Sequence, residues 1–154
     1  MRELDRTDRR ILAVLQEDSS LAIAEVAARV GLSQTPWRRV QRLRTDGVIE
    51  RTVSLVRPEA LGLGLTIFVM IEAFDHSPEW LDRFSSVVSA MPQVMEVHRM
   101  AGDIDYLLRI AVADMAAFDA FYRDLIKAVP LKNVSSHFAM ERVKSTTAYP
   151  VETA

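Results

Sequence analysis

A chain of 154 residues with 49% hydrophobic and 26% charged residues has the balance of a folded protein of one domain or two small ones, which excludes a disordered chain. No apolar run approaches the roughly 18 residues that span a bilayer, and the opening Met1-Arg2-Glu3-Leu4-Asp5-Arg6 is too charged for a signal-peptide core. The absence of cysteine excludes disulfides, thiolate metal sites and a cysteine nucleophile, and a cytoplasmic location is expected. The net charge of −2 is unevenly spread: residues 1–58 carry 11 arginines against 8 acids, a net +3, and residues 59–154 carry 8 basic residues against 13 acids, a net −5. Every basic residue of the first part is arginine, whose planar fork suits bidentate contacts to phosphate and guanine.

In chain order, the first expected helix runs from about Asp5 to Gln16, with Ile11, Leu12 and Leu15 inward and Asp8, Arg9 and Arg10 outward. A second runs from about Ala24 to Val30 and is stopped by Gly31, where a left-handed residue is cheapest. Ser33 is placed to cap a third helix with Pro36 in its first turn, and Gly47 ends it. That helix is apolar at Val40 and Leu43 and arginine-rich elsewhere, as a DNA recognition helix must be: one stripe to dock, one cationic face to offer. Val48 to Val56 alternates as a strand does. Three short helices and a strand in about 55 residues describe a winged helix-turn-helix.

Arg57-Pro58-Glu59-Ala60-Leu61-Gly62-Leu63-Gly64 reads as a linker. Beyond it come a buried strand (Leu65 to Ala73), a helix opened by Ser77-Pro78-Glu79 and closed by Pro92, and a strand from Val94 to Met100. The turn Ala101-Gly102-Asp103-Ile104-Asp105 leads to a strand from Tyr106 to Ala113, a helix capped by Asp114 and ended by Pro130, and a last strand from Val134 to about Ser145. The order βαββαβ is the ferredoxin-like unit. The expected fold class is therefore α+β: residues 1–50 a winged helix-turn-helix, 51–64 wing strand and linker, 65–154 a ferredoxin-like domain. A sheet with helices on one face leaves the other bare, which predicts at least a homodimer. His76, His98 and His137 are scattered without metal-ligand spacing, so no metal is expected. Asp103 and Asp105 are accompanied by no nucleophile, phosphate loop or nicotinamide fingerprint, so no catalytic residue, enzyme activity or cofactor is expected either.

This order of motifs resembles the Lrp/AsnC (feast/famine) family of transcription regulators. The resemblance is carried by Leu4-Asp5, Asp8, Ile11-Leu12, Leu15, Val26-Ala27, Gly31-Leu32-Ser33, Arg39-Val40, Arg42-Leu43 and Gly47-Val48-Ile49 in the first part. In the second it is carried by Leu61-Gly62, Gly102-Asp103 and Asp105-Tyr106-Leu107-Leu108. Thr35-Pro36-Trp37-Arg38-Arg39, Ser77-Pro78-Glu79-Trp80, Arg99-Met100-Ala101-Gly102-Asp103 and Phe138-Ala139-Met140-Glu141 resemble the subgroup that responds to cysteine and controls its breakdown. One junction departs from that subgroup, which usually has a cysteine between the proline and the tryptophan. Trp37, Val40 and Leu43 are consequently spaced 3 and 3 rather than 4 and 3, a rotation of about 100° at the junction, as though one residue were missing.

The resemblance implies a DNA-binding regulator of transcription whose operator binding or assembly responds to a small amino acid. The implied partners are a pseudo-palindromic double-stranded operator, an amino-acid effector and further copies of the chain, as homodimers assembling to octamers, with no membrane. Ser33, Gln34, Thr35, Trp37 and Arg38, at the start of the third helix, are candidates to face bases, and Arg42 and Arg44 to meet phosphate. Arg39 is a DNA candidate that the family's pattern alternatively pairs with an acid inside the domain, and Arg51 is a weaker phosphate candidate. Effector candidates are Arg99, Met100, Gly102, Asp103 and Asp105 around the turn, with Ser135 and Ser136 as an opposing wall. An ammonium needs an acceptor charge and a carboxylate needs backbone N–H groups, and a glycine-aspartate turn offers both. The alternative of another class is an enzyme like the sirohaem decarboxylases, which share the architecture.

Overall fold

A computed structural model describes residues 3–33 and 36–151; the candidates Gln34 and Thr35 lie outside them. The chain divides into two compact units, Met1–Leu55 with Val143–Ala154, and Val56–Arg142.

The first unit is built on three helices. Helix α1 (Arg6–Glu17) starts where Asp5 Oδ1 accepts the Asp8 N–H at 2.8 Å. Helix α2 (Ile23–Val30) starts where Glu25 reaches back to the Ala22 N–H at 2.9 Å. It stops at Gly31, whose φ of 71° suits glycine, and the Leu32 N–H closes the end on the Ala27 carbonyl. Helix α3 (Trp37–Thr45) has Pro36 at its N-cap, so Ser33 lies outside its first turn and does not cap it. Gly47 (φ 72°) turns the chain after it. Ile11, Leu12, Val26, Val30, Val40 and Leu43 form the core. Trp37 is 53% exposed because spacings of 3 and 3 carry it to the edge of the stripe, some 60° from Val40 and 120° from Leu43.

Two expectations change here. Val48 to Val56, read as the wing strand, carries neither helix nor sheet ladder: a strand needs a partner, and no described segment of the chain offers one. Residues from Val143 onward, read as part of the second domain, belong to the first unit. Tyr149 exchanges two hydrogen bonds with the Gln16 amide, its N–H to Oε1 at 2.8 Å and its carbonyl from Nε2 at 3.1 Å. Arg9 Nη1 donates to the Val151 carbonyl at 3.0 Å, and Val151 packs on the core's edge. The Gln16 amide, donating through Nε2 and accepting through Oε1, serves this tail as a neighbouring strand would.

The second unit has the order β1 (Leu65–Ala73), α4 (Pro78–Ala90), β2 (Val94–Arg99), β3 (Tyr106–Val112), α5 (Met115–Ala128), β4 (Leu131–Phe138). The sheet order is β2-β3-β1-β4 and every neighbour is antiparallel. Ile67, Val69 and Ile71 of β1 and Leu108 and Ile110 of β3 face α4 and α5, where Trp80, Phe84, Val88, Phe121 and Leu125 complete the core. Ser77 and Asp114 cap these helices, as the sequence predicts. Strand β4 ends at Phe138, short of Ser145, because its ladder with β1 runs out near Thr66. Thr66, Phe68, Met70, Leu107, Arg109, Ser135 and His137 alternate onto the face away from the helices.

Candidate nucleic-acid interface and effector turn

At about 100° per residue, the buried stripe of α3 (Val40, Leu43) leaves Arg38 and Thr45 on the opposite face, with Gln41 and Arg42 on either side of them and Arg44 nearer the stripe. Arg38 and Arg44 are exposed, and neither has a protein partner among the described residues. Arg44 and Arg51 line the same open cleft, about 530 Å³ in volume, beside the end of α1. Gln41, absent from the sequence-based candidates, is a capable reader because its amide pairs bidentately with adenine. The one available signal was its place three residues beyond Arg38.

Arg39 and Arg42 are engaged differently. Asp8 is 2% exposed, whereas the sequence placed it outward. Its Oδ1 accepts from Arg39 Nη1 at 2.9 Å and its Oδ2 from Arg42 Nη2 at 2.7 Å. Asp5 Oδ2 accepts from the same Arg39 Nη1 at 2.6 Å. Hydrogen bonds to Asp5 and then Asp8 raise the Arg39 pKa, and the Arg39 contact followed by the Asp8 N–H holds the Asp5 carboxyl below its ordinary value. A buried carboxylate needs such partners, because an unpaired charge out of water is strongly destabilising. The legible signal was a complementary pair: acids at 5 and 8, arginines at 39 and 42, each three apart and so on one helix face.

At the β2–β3 turn, Met100 N–H donates to the Asp105 carbonyl at 2.8 Å, closing a loop in which Gly102 has φ 127°. That angle lies where side chains are strained, although a Cβ there would meet no atom within 4 Å. Asp103 is exposed, and neither its carboxylate nor the backbone N–H groups of Ala101–Ile104 have a protein partner among the described residues. Asp105 is held structurally: its N–H donates to the Ile71 carbonyl at 2.9 Å and its Oδ2 accepts the Ala73 N–H at 2.7 Å. Its Oδ1 lies 3.9 Å from His76 Nε2. Arg99 ends β2 beside this turn.

Ser135 and Ser136 do not share a wall. Ser135 stands opposite Met70 on the helix-free face and Ser136 opposite Val69 on the helix face. Both are on β4, separated from β3 by β1 and hence by about 10 Å across the sheet. Turn and serines therefore do not meet within one protomer.

Residues 4–44 match the AsnC-type helix-turn-helix domain, and residues 66–149 match the Lrp/AsnC ligand binding domain. The chain belongs to the Lrp/AsnC family. It is 49% identical to the DNA-binding transcriptional activator DecR of Escherichia coli K12, over 97% of this chain and 99% of that protein. It is 43% identical to the glutamate uptake regulatory protein of Zymomonas mobilis, over 98% and 93%. Among solved structures, an AsnC family transcriptional regulator from Agrobacterium tumefaciens superposes with a TM-score of 0.93 at 53% identity, covering 97% of this chain and 99% of that one. The Neisseria meningitidis regulator NMB0573, in complex with L-Met, gives a TM-score of 0.93 at 33% identity, covering 98% and 99%. This Lrp/AsnC chain is a DNA-binding transcription regulator with a ligand-binding domain, and these likenesses to regulators lend nothing to the enzyme alternative. No helix among the described residues is long and apolar enough to cross a membrane.

Proposed function

We propose that this Lrp/AsnC regulator works in the cytoplasm, reading a pseudo-palindromic operator with α3 and taking a free amino acid, with cysteine the first candidate, at the Ala101–Asp105 turn. The reading of α3 assigns base contacts to its outward side chains, Arg38 and Gln41 first, with Ser33, Trp37, Gln34 and Thr35 at its entrance, and phosphate contacts to Arg44 and Arg51. The effector reading is carried by the turn: Asp103 offers an unpaired carboxylate to an ammonium, and the N–H groups of Ala101–Ile104 offer donors to a carboxylate. Arg99 and Met100 border it, while Asp105 shapes the turn from behind by holding the Ala73 N–H.

Because Ser135 lies two strands away, it walls the effector only if a second copy brings it there, and Ser136, on the helix face of the sheet, does not join it. The apolar Phe68, Met70 and Leu107, half-buried with no helix above them, support homodimers joined on the helix-free sheet face, which assemble further, up to octamers, in this reading. Effector binding between dimers then shifts assembly and, by linkage, operator affinity. Calorimetry of the full chain with cysteine, methionine and other free amino acids tests this. The expected result is binding by one or a few of them that weakens at least tenfold in Asp103→Ala. Equal heats for wild type and variant would remove Asp103, and no heat from any amino acid would remove the effector reading.

A further inference from the structure

We infer that Asp8 is a positioning residue for DNA reading: its buried carboxylate clamps Arg39 and Arg42 and so fixes the roll of α3 about its axis. The inference rests on the proposal that α3 faces DNA. Asp8 accepts from the two arginines through separate oxygens, Oδ1 and Oδ2, at 2.9 and 2.7 Å. Arg39 and Arg42 lie three residues apart on α3, so the two bonds grip the helix at two points nearly a turn apart. A single contact would leave α3 free to pivot; two contacts to one carboxylate do not. The grip matters because α3 buries only Val40 and Leu43, a narrow stripe that resists rolling weakly. Its N-cap residue, Pro36, makes no side-chain cap hydrogen bond.

The same geometry settles what these arginines bring to a duplex. Asp5 and Asp8 carry two negative charges against the two positive charges of Arg39 and Arg42, so the cluster is neutral. Each arginine committed to phosphate would steepen the salt dependence of binding by about one unit, and a neutral cluster adds nothing. Asp8→Asn keeps the shape of the side chain, removes one negative charge and weakens both bonds. Two effects follow with opposite signs. The released positive charge strengthens binding to any duplex and steepens its salt dependence by up to about one unit. The loosened roll of α3 misaligns Arg38 and Gln41 and lowers discrimination.

The test uses the full chain, a duplex selected by the wild-type protein from a random-sequence pool, and a mixed-sequence duplex of equal length, titrated at several salt concentrations. Asp8→Asn is expected to lower the ratio of selected to mixed-sequence affinity roughly tenfold, about one lost base contact, while the mixed-sequence salt dependence steepens. Simple loss of folded protein lowers both affinities together and leaves ratio and salt dependence unchanged, an outcome that overturns the inference. If Asp8→Asn does not fold, Arg42→Lys, which keeps the charge but loses the guanidinium fork, decides: a lower ratio with unchanged salt dependence supports the clamp, and an unchanged ratio overturns it. Arg38→Ala separates the two layers. If it leaves selected-duplex affinity unchanged, the reading of α3 fails; if it weakens binding while Asp8→Asn keeps the wild-type ratio, only the clamp fails.

Discussion

Asp5 does two jobs with two oxygens, capping α1 through Oδ1 and holding Arg39 through Oδ2. Its carboxyl is held below its ordinary value, first by the Arg39 hydrogen bond, so the charged form is the one the fold favours. A group depressed in the folded state contributes stability above its unfolded pKa of about 4 and loses that contribution as pH falls through the lower folded value. Asp5→Asn retains a capping oxygen but removes the charge. At neutral pH it should destabilise the first unit by no more than about 1 kcal/mol, since the pair is half exposed. Urea titrations between pH 7 and pH 3 should show the difference between wild type and variant shrinking toward the acid end; a difference constant with pH would mean that the charge contributes nothing. Much at this scale was legible: Gly31, Ser77 and Asp114 act as their residue types predict, because caps and left-handed turns are local. The burial of Asp8 was not, since a carboxylate is buried only when another segment brings cations to it.

Elements tell a similar story. Helices α1, α2, α4 and α5 could be read from apolar spacing and caps to within a few residues. Helix α3 begins later than its serine suggested, at Trp37, and its 3-and-3 spacing moves Trp37 to the edge of the buried stripe. The tail beyond Arg142 was read as strand to about Ser145 and as second domain beyond it; it straps α1 instead, through Gln16 and Arg9. Three hydrogen bonds, largely exposed, and the packing of Val151 should together stabilise the first unit by about 1–3 kcal/mol. A chain ending at Arg142 is therefore expected to unfold its first unit at lower denaturant. The two tryptophans report separately, Trp37 in the first unit and Trp80 in the second. Fluorescence of Trp80→Phe and Trp37→Phe versions of the truncated chain should show the Trp37 transition shifted and the Trp80 transition unmoved. An unmoved Trp37 transition would show that the tail stabilises nothing.

For the whole molecule, the helix-free face of the sheet carries the assembly argument. Phe68, Met70 and Leu107 are half-buried there with no helix above them, and two such faces stacked about 10 Å apart would form a shared core. Phe68→Glu places a charge in that layer. Light scattering should show a loss of the higher-mass species with secondary structure intact, and affinity for a two-half-site duplex should fall at least tenfold, as paired recognition helices are lost. A variant of wild-type mass would place the interface elsewhere.

By itself the sequence determined the two-part plan, the βαββαβ order, the family and the two places to look, α3 and the Gly102-Asp103 turn. Those are consequences of periodicity, caps and motif order, which act over a few residues. Tertiary structure decided which arginines are free and which are held, that Asp105 is bound to the end of β1, that Ser135 and Ser136 lie two strands from the turn, and that the tail belongs to the first unit. Each of these depends on segments from 30 to more than 130 residues apart meeting at hydrogen-bond distance, and no local pattern encodes which distant group a charge or a backbone amide will find.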